Sequence, residues 1–158
     1  RFQALLKTYE QLSSFILDTI RVDLRCRAIH YLDSAMRHAS PFGTYDSNYE
    51  AVEPDPHVID LNMELVDCNE FISKGLLEKD RSYLFSGLGQ LMEQLLIHNG
   101  RLLRIPNSFG VKKIMRNILA LQQSIKTLTD DSQDSEFERA KTYYSLYFIS
   151  PQVSKNRA

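Results

Sequence analysis

Wound at 100° per residue, the opening stretch of the chain draws a helix. Phe2, Leu5, Leu6, Tyr9, Leu12, Ile16 and Ile20 fall on one stripe, and Lys7, Glu10, Asp18, Arg21 and Arg25 occupy the other side. No glycine or proline precedes Pro41, so one long helix or two stacked pieces can run from Arg1 to about His38. From Val22 the stripe dissolves: Val22, Leu24, Cys26, Ala28, Ile29, Tyr31 and Leu32 point all round the axis. A helix apolar on every side predicts cover from several neighbours.

Residues 39 to 55 hold Pro41, Gly43, Pro54 and the acids Asp46, Glu50, Glu53 and Asp55, and read as a long exposed acidic loop. It ends on a helix start, Asp55 as N-cap and Pro56 at the first helical position, where the missing N–H costs nothing. The second helix carries Val58, Ile59, Leu61, Leu65, Val66, Cys68 and Ile72 to about Lys74, with Gly75 as a stop or kink. A third is predicted from about Glu78 to Asn99, with Leu84, Leu88, Leu91, Met92 and Leu95 inward and Gly100 as its C′ residue.

The fourth helix, Phe109 to Thr129, has Asn107 or Ser108 as cap, and is the cleanest in the chain. Val111, Ile114, Met115, Ile118, Leu121, Ile125 and Leu128 fill roughly 140° of arc, the width of a core-facing helix. Ser135 with Glu138 reads as a capping box for a short last helix. That helix brings Phe137, Ala140, Tyr143, Tyr144, Leu146, Tyr147 and Phe148, aromatics best used to cap the core, and stops before Pro151. No stretch alternates with period two. The pattern predicts an all-α fold, an antiparallel bundle of about five helices over residues 1–150, with 151–158 a frayed tail.

Composition adds exclusions. A chain of 158 residues, 43% hydrophobic and 25% charged, suits one cooperative unit that needs no metal or disulfide staple. A net charge of −1 argues against a nucleic-acid binder, since phosphate affinity needs a basic excess. Cys26 and Cys68 sit in apolar runs and read as two buried thiols in a reducing compartment. With no signal peptide, no Asn-x-Ser/Thr acceptor and no bilayer-length apolar run, the sequence reads as a segment of a larger protein of the cytosol or of a membrane's cytosolic face.

Chemistry finds little foothold. His30, His38, His57 and His98 are far apart and outside any zinc spacing. Gly87-Leu88-Gly89 lacks the third glycine and the lysine of a phosphate loop, and is read as small residues letting two helices approach. No nucleophile elbow or triad pattern occurs, so the expectation is a non-enzyme without cofactor or metal. Asp23 and Arg27 have the spacing of a local helical ion pair. On the fourth helix Lys112, Arg116 and Lys126 fall within roughly 80° of arc opposite the core stripe, around Gln123 and a projecting Leu119. This strip reads as solvated surface, with a partner site or anionic-lipid site as the functional alternative.

Several segments in order carry a family resemblance: Arg25-Cys26-Arg27-Ala28-Ile29-His30-Tyr31-Leu32, then an acidic loop and Asp55-Pro56, then Tyr83 through Met92. The strongest is Phe109-Gly110-Val111-Lys112-Lys113-Ile114-Met115-Arg116-Asn117-Ile118-Leu119-Ala120-Leu121-Gln122-Gln123, followed by the aromatics from Phe137 to Tyr147. Together they resemble the C-terminal region of the exocyst complex component 4 family. The resemblance implies a rod-like subunit of stacked helical bundles, in a complex that links secretory vesicles to the plasma membrane before fusion. It implies other exocyst subunits as partners, with small GTPases as candidate regulators, no cofactor, and a cytoplasmic place at the periphery of the plasma membrane. Some family members end in a PDZ-binding tail, but Asn156-Arg157-Ala158 lacks the hydroxyl residue and bulky terminus such a pocket takes. Candidate contact surfaces are the Lys112, Arg116, Leu119 and Lys126 strip and the acidic loop with Asp46, Glu50, Glu53 and Asp55.

Overall fold

The computed structural model describes residues 1–37, 53–100, 108–129 and 137–149. These form six helices and, among the described residues, no strand: α1 (Phe2–Arg37), α2 (Pro56–Ser73), α3 (Glu78–Phe85), α4 (Leu88–Asn99), α5 (Ser108–Thr129) and α6 (Glu138–Ile149). The all-α bundle read from the periodicity is the fold. The longer helices close a ring in which α1 packs on α2, α2 on α5, α5 on α6, α6 on α4, and α4 back on α1. Inside the ring, Leu24, Ala28 and Leu32 meet Leu61 and Leu65, Ile118 and Leu121, Ala140 and Tyr144, and Leu88, Met92 and Leu96, all at most 2% exposed. Each fully buried large side chain contributes about 1.5–3 kcal/mol through area removed from water.

Local signals set several boundaries. Asp55 caps α2 as its sequence predicts, with Oδ1 accepting from the His57 N–H at 3.0 Å and Pro56 opening the first turn. The α5 stripe is buried at Val111, Ile114, Ile118, Leu121, Ile125 and Leu128, with Met115 packed beside it.

Other boundaries move. The helix expected over 78–99 is two helices, because Gly87 adopts φ +71°, a left-handed conformation that ends α3 and opens α4. A Cβ on Gly87 would meet nothing within 4 Å, so this glycine serves the turn and not a close helix approach. The break is held from α1. Arg25 donates to the Ser86 carbonyl at 2.8 Å and Arg21 at 3.3 Å; Arg21 also lies over the Tyr83 ring, and the Tyr83 hydroxyl donates to Asp18. Burial lowers the Arg25 pKa, with Arg21 adding to the effect. Gly100 sits at φ −55° and takes no left-handed turn; it is needed because a Cβ there would stand 2.8 Å from both Tyr143 and Tyr144.

The α6 start differs from the capping box. Glu138 is the first helical residue, where the box needs it third, and Ser135 lies outside the described residues. Phe137 precedes it at φ +70° with its ring fully buried, a conformation bulky residues adopt only when packing enforces it. The free N–H groups of the first turn are capped across the bundle. Glu93 of α4, 7% exposed, accepts from Arg139 N at 2.9 Å and Ala140 N at 3.3 Å.

Two further expectations change. α1 beyond Val22 is covered on one side only, through Leu24, Ala28, Leu32 and Ala35, while Val22, Cys26 and Ile29 face outward. Cys26 is therefore an exposed thiol, while Cys68 is half-buried and its pKa is raised by desolvation. The tail 151–158, the loop residues Asp46 and Glu50, and Asn107 lie outside the described residues.

Candidate interaction surfaces

The predicted strip on α5 has Lys112, Leu119 and Lys126 exposed and Arg116 half-exposed, on the side away from the buried stripe. Leu119, at 48% exposure, is its apolar centre. Of the acidic residues, Glu53 is exposed, but Asp55 is not part of any exposed surface. It is 5% exposed because three groups use it: the α2 cap, Lys113 Nζ at 3.3 Å, and Asn117 Oδ1, which accepts from its N–H at 2.7 Å. Asp55 thus locks the start of α2 onto α5. The structure does not bring the strip and the acidic residues into one site.

Charged groups elsewhere serve the same structural end. Arg27 pairs with Asp23 on its own helix at 2.7 Å and with Glu64 of α2 at 2.8 Å, and the Tyr31 hydroxyl donates to Glu64 as well. The Tyr31 hydrogen bond, then Arg27, holds the Glu64 carboxyl below its ordinary range. Tyr144 donates to the Leu96 carbonyl at 2.6 Å, and burial pushes its phenol pKa well up. Among the described residues no three His, Cys, Asp or Glu side chains are grouped to hold a metal ion. Among the same residues no helix is long and apolar enough to cross a membrane.

Surfaces that residue patterns did not single out are apolar. On α2, Ile59, Met63 and Val66 line a shallow groove of about 320 Å³ with Asn62 and Asp67. Between α4 and α6, two adjoining hollows of about 400 and 430 Å³ share Ile97 and Arg139. The first half of α1 is a further uncovered apolar surface, one that the periodicity does single out. Residues 1–16 are all exposed, including Phe2 at 78%, Tyr9 at 63% and Phe15 at 68%. Periodicity revealed this stripe as apolar, but nothing local says whether a neighbour covers it.

A ring of helices tied together by Glu93, Asp55 and the Glu64–Arg27 pair, with large apolar side chains left exposed, defines an all-α helical bundle. No family model matches the chain. It is 31% identical over 148 residues to the probable exocyst complex component sec8 of Neurospora crassa, spanning 92% of this chain and 13% of that protein. To exocyst complex component 4 of Mus musculus it is 30% identical over 146 residues, 91% of this chain and 14% of the relative. To exocyst complex component SEC8 of Arabidopsis thaliana it is 25% identical over 141 residues, 87% and 13% respectively. The chain belongs to the exocyst complex component 4 (Sec8) family, and spans about one-seventh of the length of these relatives.

Proposed function

We propose that this chain is a non-enzymatic helical bundle of an exocyst subunit, acting through protein contacts in the tethering of secretory vesicles to the plasma membrane before fusion. The observation that carries the reading is likeness along about nine-tenths of the chain to exocyst component 4 proteins of a fungus, an animal and a plant. The packing supports it: Glu93, Asp55, Glu64 and Arg27 hold helices together, and large apolar side chains are left for neighbours. Its partners in this reading are other exocyst subunits, with small GTPases as regulators, on the cytoplasmic side of the plasma membrane at sites of secretion. Several modest faces on one assembly then act together through effective concentration.

The test is affinity capture from cell lysate with the full-length protein as bait, read by mass spectrometry. Recovery of the other exocyst subunits is the expected result; a folded bait that recovers none of them defeats the reading. Charge reversal at Lys112, Arg116 and Lys126, or at Glu53, asks whether either surface contributes, and loss of individual subunits is expected where it does. Salt-sensitive sedimentation with anionic liposomes, abolished by reversal of the α5 lysines and arginine, would instead make that strip a lipid face.

A further inference from the structure

Asp18, Arg21 and Arg25 of α1 meet Tyr83 of α3 at the break between α3 and α4. Ser86 (φ −57°, ψ 130°) and Gly87 (φ 71°, ψ 7°) are the central pair of a type II turn there. Arg25 donates to the Ser86 carbonyl at 2.8 Å and Arg21 at 3.3 Å, so two guanidiniums converge on one neutral oxygen. Neither is ion-paired with a carboxylate among the described residues; Asp18, the acid at this spot, accepts from the Tyr83 hydroxyl instead. Burial, then the neighbouring Arg21 charge, works against the Arg25 cation. Two like charges crowded on a neutral acceptor form an arrangement that an anion relieves.

The turn supplies a place for one. Ser86 is exposed, and its hydroxyl donates to the Tyr83 carbonyl at 3.1 Å. Ser82 and Gln90 on either side are exposed, and a Cβ on Gly87 would meet nothing within 4 Å, so the turn stands open to an enzyme. A phosphoryl group on Ser86 Oγ stands on the same residue as the carbonyl that both arginines already reach. A guanidinium carries more donors than these carbonyl bonds use, so Arg21 and Arg25 can keep the turn and take up phosphoryl oxygens as well. The helix ends oppose each other: the α3 C-terminus repels an anion at Ser86 and the α4 N-terminus attracts it. The two arginines therefore decide the sign.

We propose that Ser86 is a phosphorylation site, and that Arg21 and Arg25 hold its phosphoryl group and so clamp α1 to the α3–α4 turn. A protein kinase transfers the γ-phosphoryl group of ATP to the hydroxyl. The bond from Oγ to phosphorus forms, the bond from phosphorus to the oxygen bridging to the β-phosphate breaks, ADP leaves, and the hydroxyl proton passes to solvent. The proposal stands on the packing of α1 against α3 and goes beyond the exocyst reading.

The experiment uses the full-length protein. Protein isolated from its own growing cells under phosphatase inhibition is cut with trypsin, and the peptide 82–101, released at Arg81 and Arg101, is fragmented by mass spectrometry. Phosphate on Ser86 is expected; its absence, or phosphate confined to Ser82 or Tyr83, overturns the proposal. Protein made with phosphoserine at 86 is then exposed to a phosphatase. Removal is expected to be at least about tenfold slower than from the Arg21→Gln/Arg25→Gln double variant, and equal rates defeat the clamp. Hydrogen exchange with both arginines intact covers the case in which that variant does not fold. Phosphorylation is expected to slow the amides of residues 18–25 and 86–91, and unchanged or faster exchange overturns the proposal. Inorganic phosphate that protects the unmodified protein equally would assign the arginines to a free anion, against a Ser86 phosphate. A protein that captures exocyst subunits yet carries no phosphate on Ser86 would sink the site and leave the functional reading standing.

Discussion

At Gly100 local preference and tertiary packing disagree. Its φ of −55° is one that alanine favours, and in open helix a Gly→Ala change stabilises by about 0.4–1 kcal/mol. Here the added methyl would stand 2.8 Å from Tyr143 Cε1 and from the Tyr144 hydroxyl oxygen. The Tyr144 hydroxyl is itself fixed on the Leu96 carbonyl, so the ring cannot retreat without breaking a buried hydrogen bond. Overpacking of this kind costs about 1–3 kcal/mol. Gly100→Ala is therefore expected to lower stability in urea unfolding, and a neutral or stabilising result would show that the α4–α6 contact is looser than the geometry implies. Gly87 shows the reverse: the sequence suggests close helix approach at Gly87 and a C′ turn at Gly100, whereas Gly87 acts through its φ and Gly100 through the space it leaves.

Between helices, two carboxylates tie the ring. Glu93 caps α6 from α4, so Glu93→Ala is expected to cost about 1–2 kcal/mol, as for other lost N-caps, and Glu93→Gln about half of that because an amide oxygen still accepts. Denaturant titration of both variants checks this; equal losses would mean that charge at the helix end matters more than the acceptor. Glu64, tied to Tyr31 and Arg27 of α1, gives a pH signature. Its folded pKa is depressed, so its contribution is complete above the ordinary carboxylate range and disappears as pH falls through the folded value. Glu64→Gln is expected to flatten the acid limb of the stability curve, and an unchanged limb would place the acid sensitivity elsewhere. These ties mark where sequence reading stops. The start of α2 was legible because Asp55 and Pro56 act within three residues of each other. The cap of α6 comes from Glu93, 46 residues away, and the α3–α4 break is held by arginines more than 60 away. No local spacing encodes either. The α5 strip was legible as a polar face, while the burial of Asp55 was not, since Lys113 and Asn117 reach it only once α2 and α5 meet.

At the scale of the molecule, the core and the exposed overhang of α1 are separate in space. The twenty-one residues from Leu17 to Arg37 span about 31 Å, close to the roughly 33 Å of α5, whereas residues 1–16 are all exposed. Burial along α1 thus begins at Leu17, and the overhang is expected to add helix and apolar surface without adding stability. Removing residues 1–16 is expected to leave the thermal midpoint of this chain within a few degrees of its starting value. The same deletion should reduce self-association, because seven exposed large apolar side chains go with it. Differential scanning calorimetry with light scattering reads both quantities on one sample. A midpoint that falls by ten degrees or more would mean that the first half of α1 is part of the folding unit, folded back or paired in solution. An unchanged midpoint with less scattering would establish the overhang as surface held for a neighbour, because its cost in solubility would then bring the bundle alone no gain.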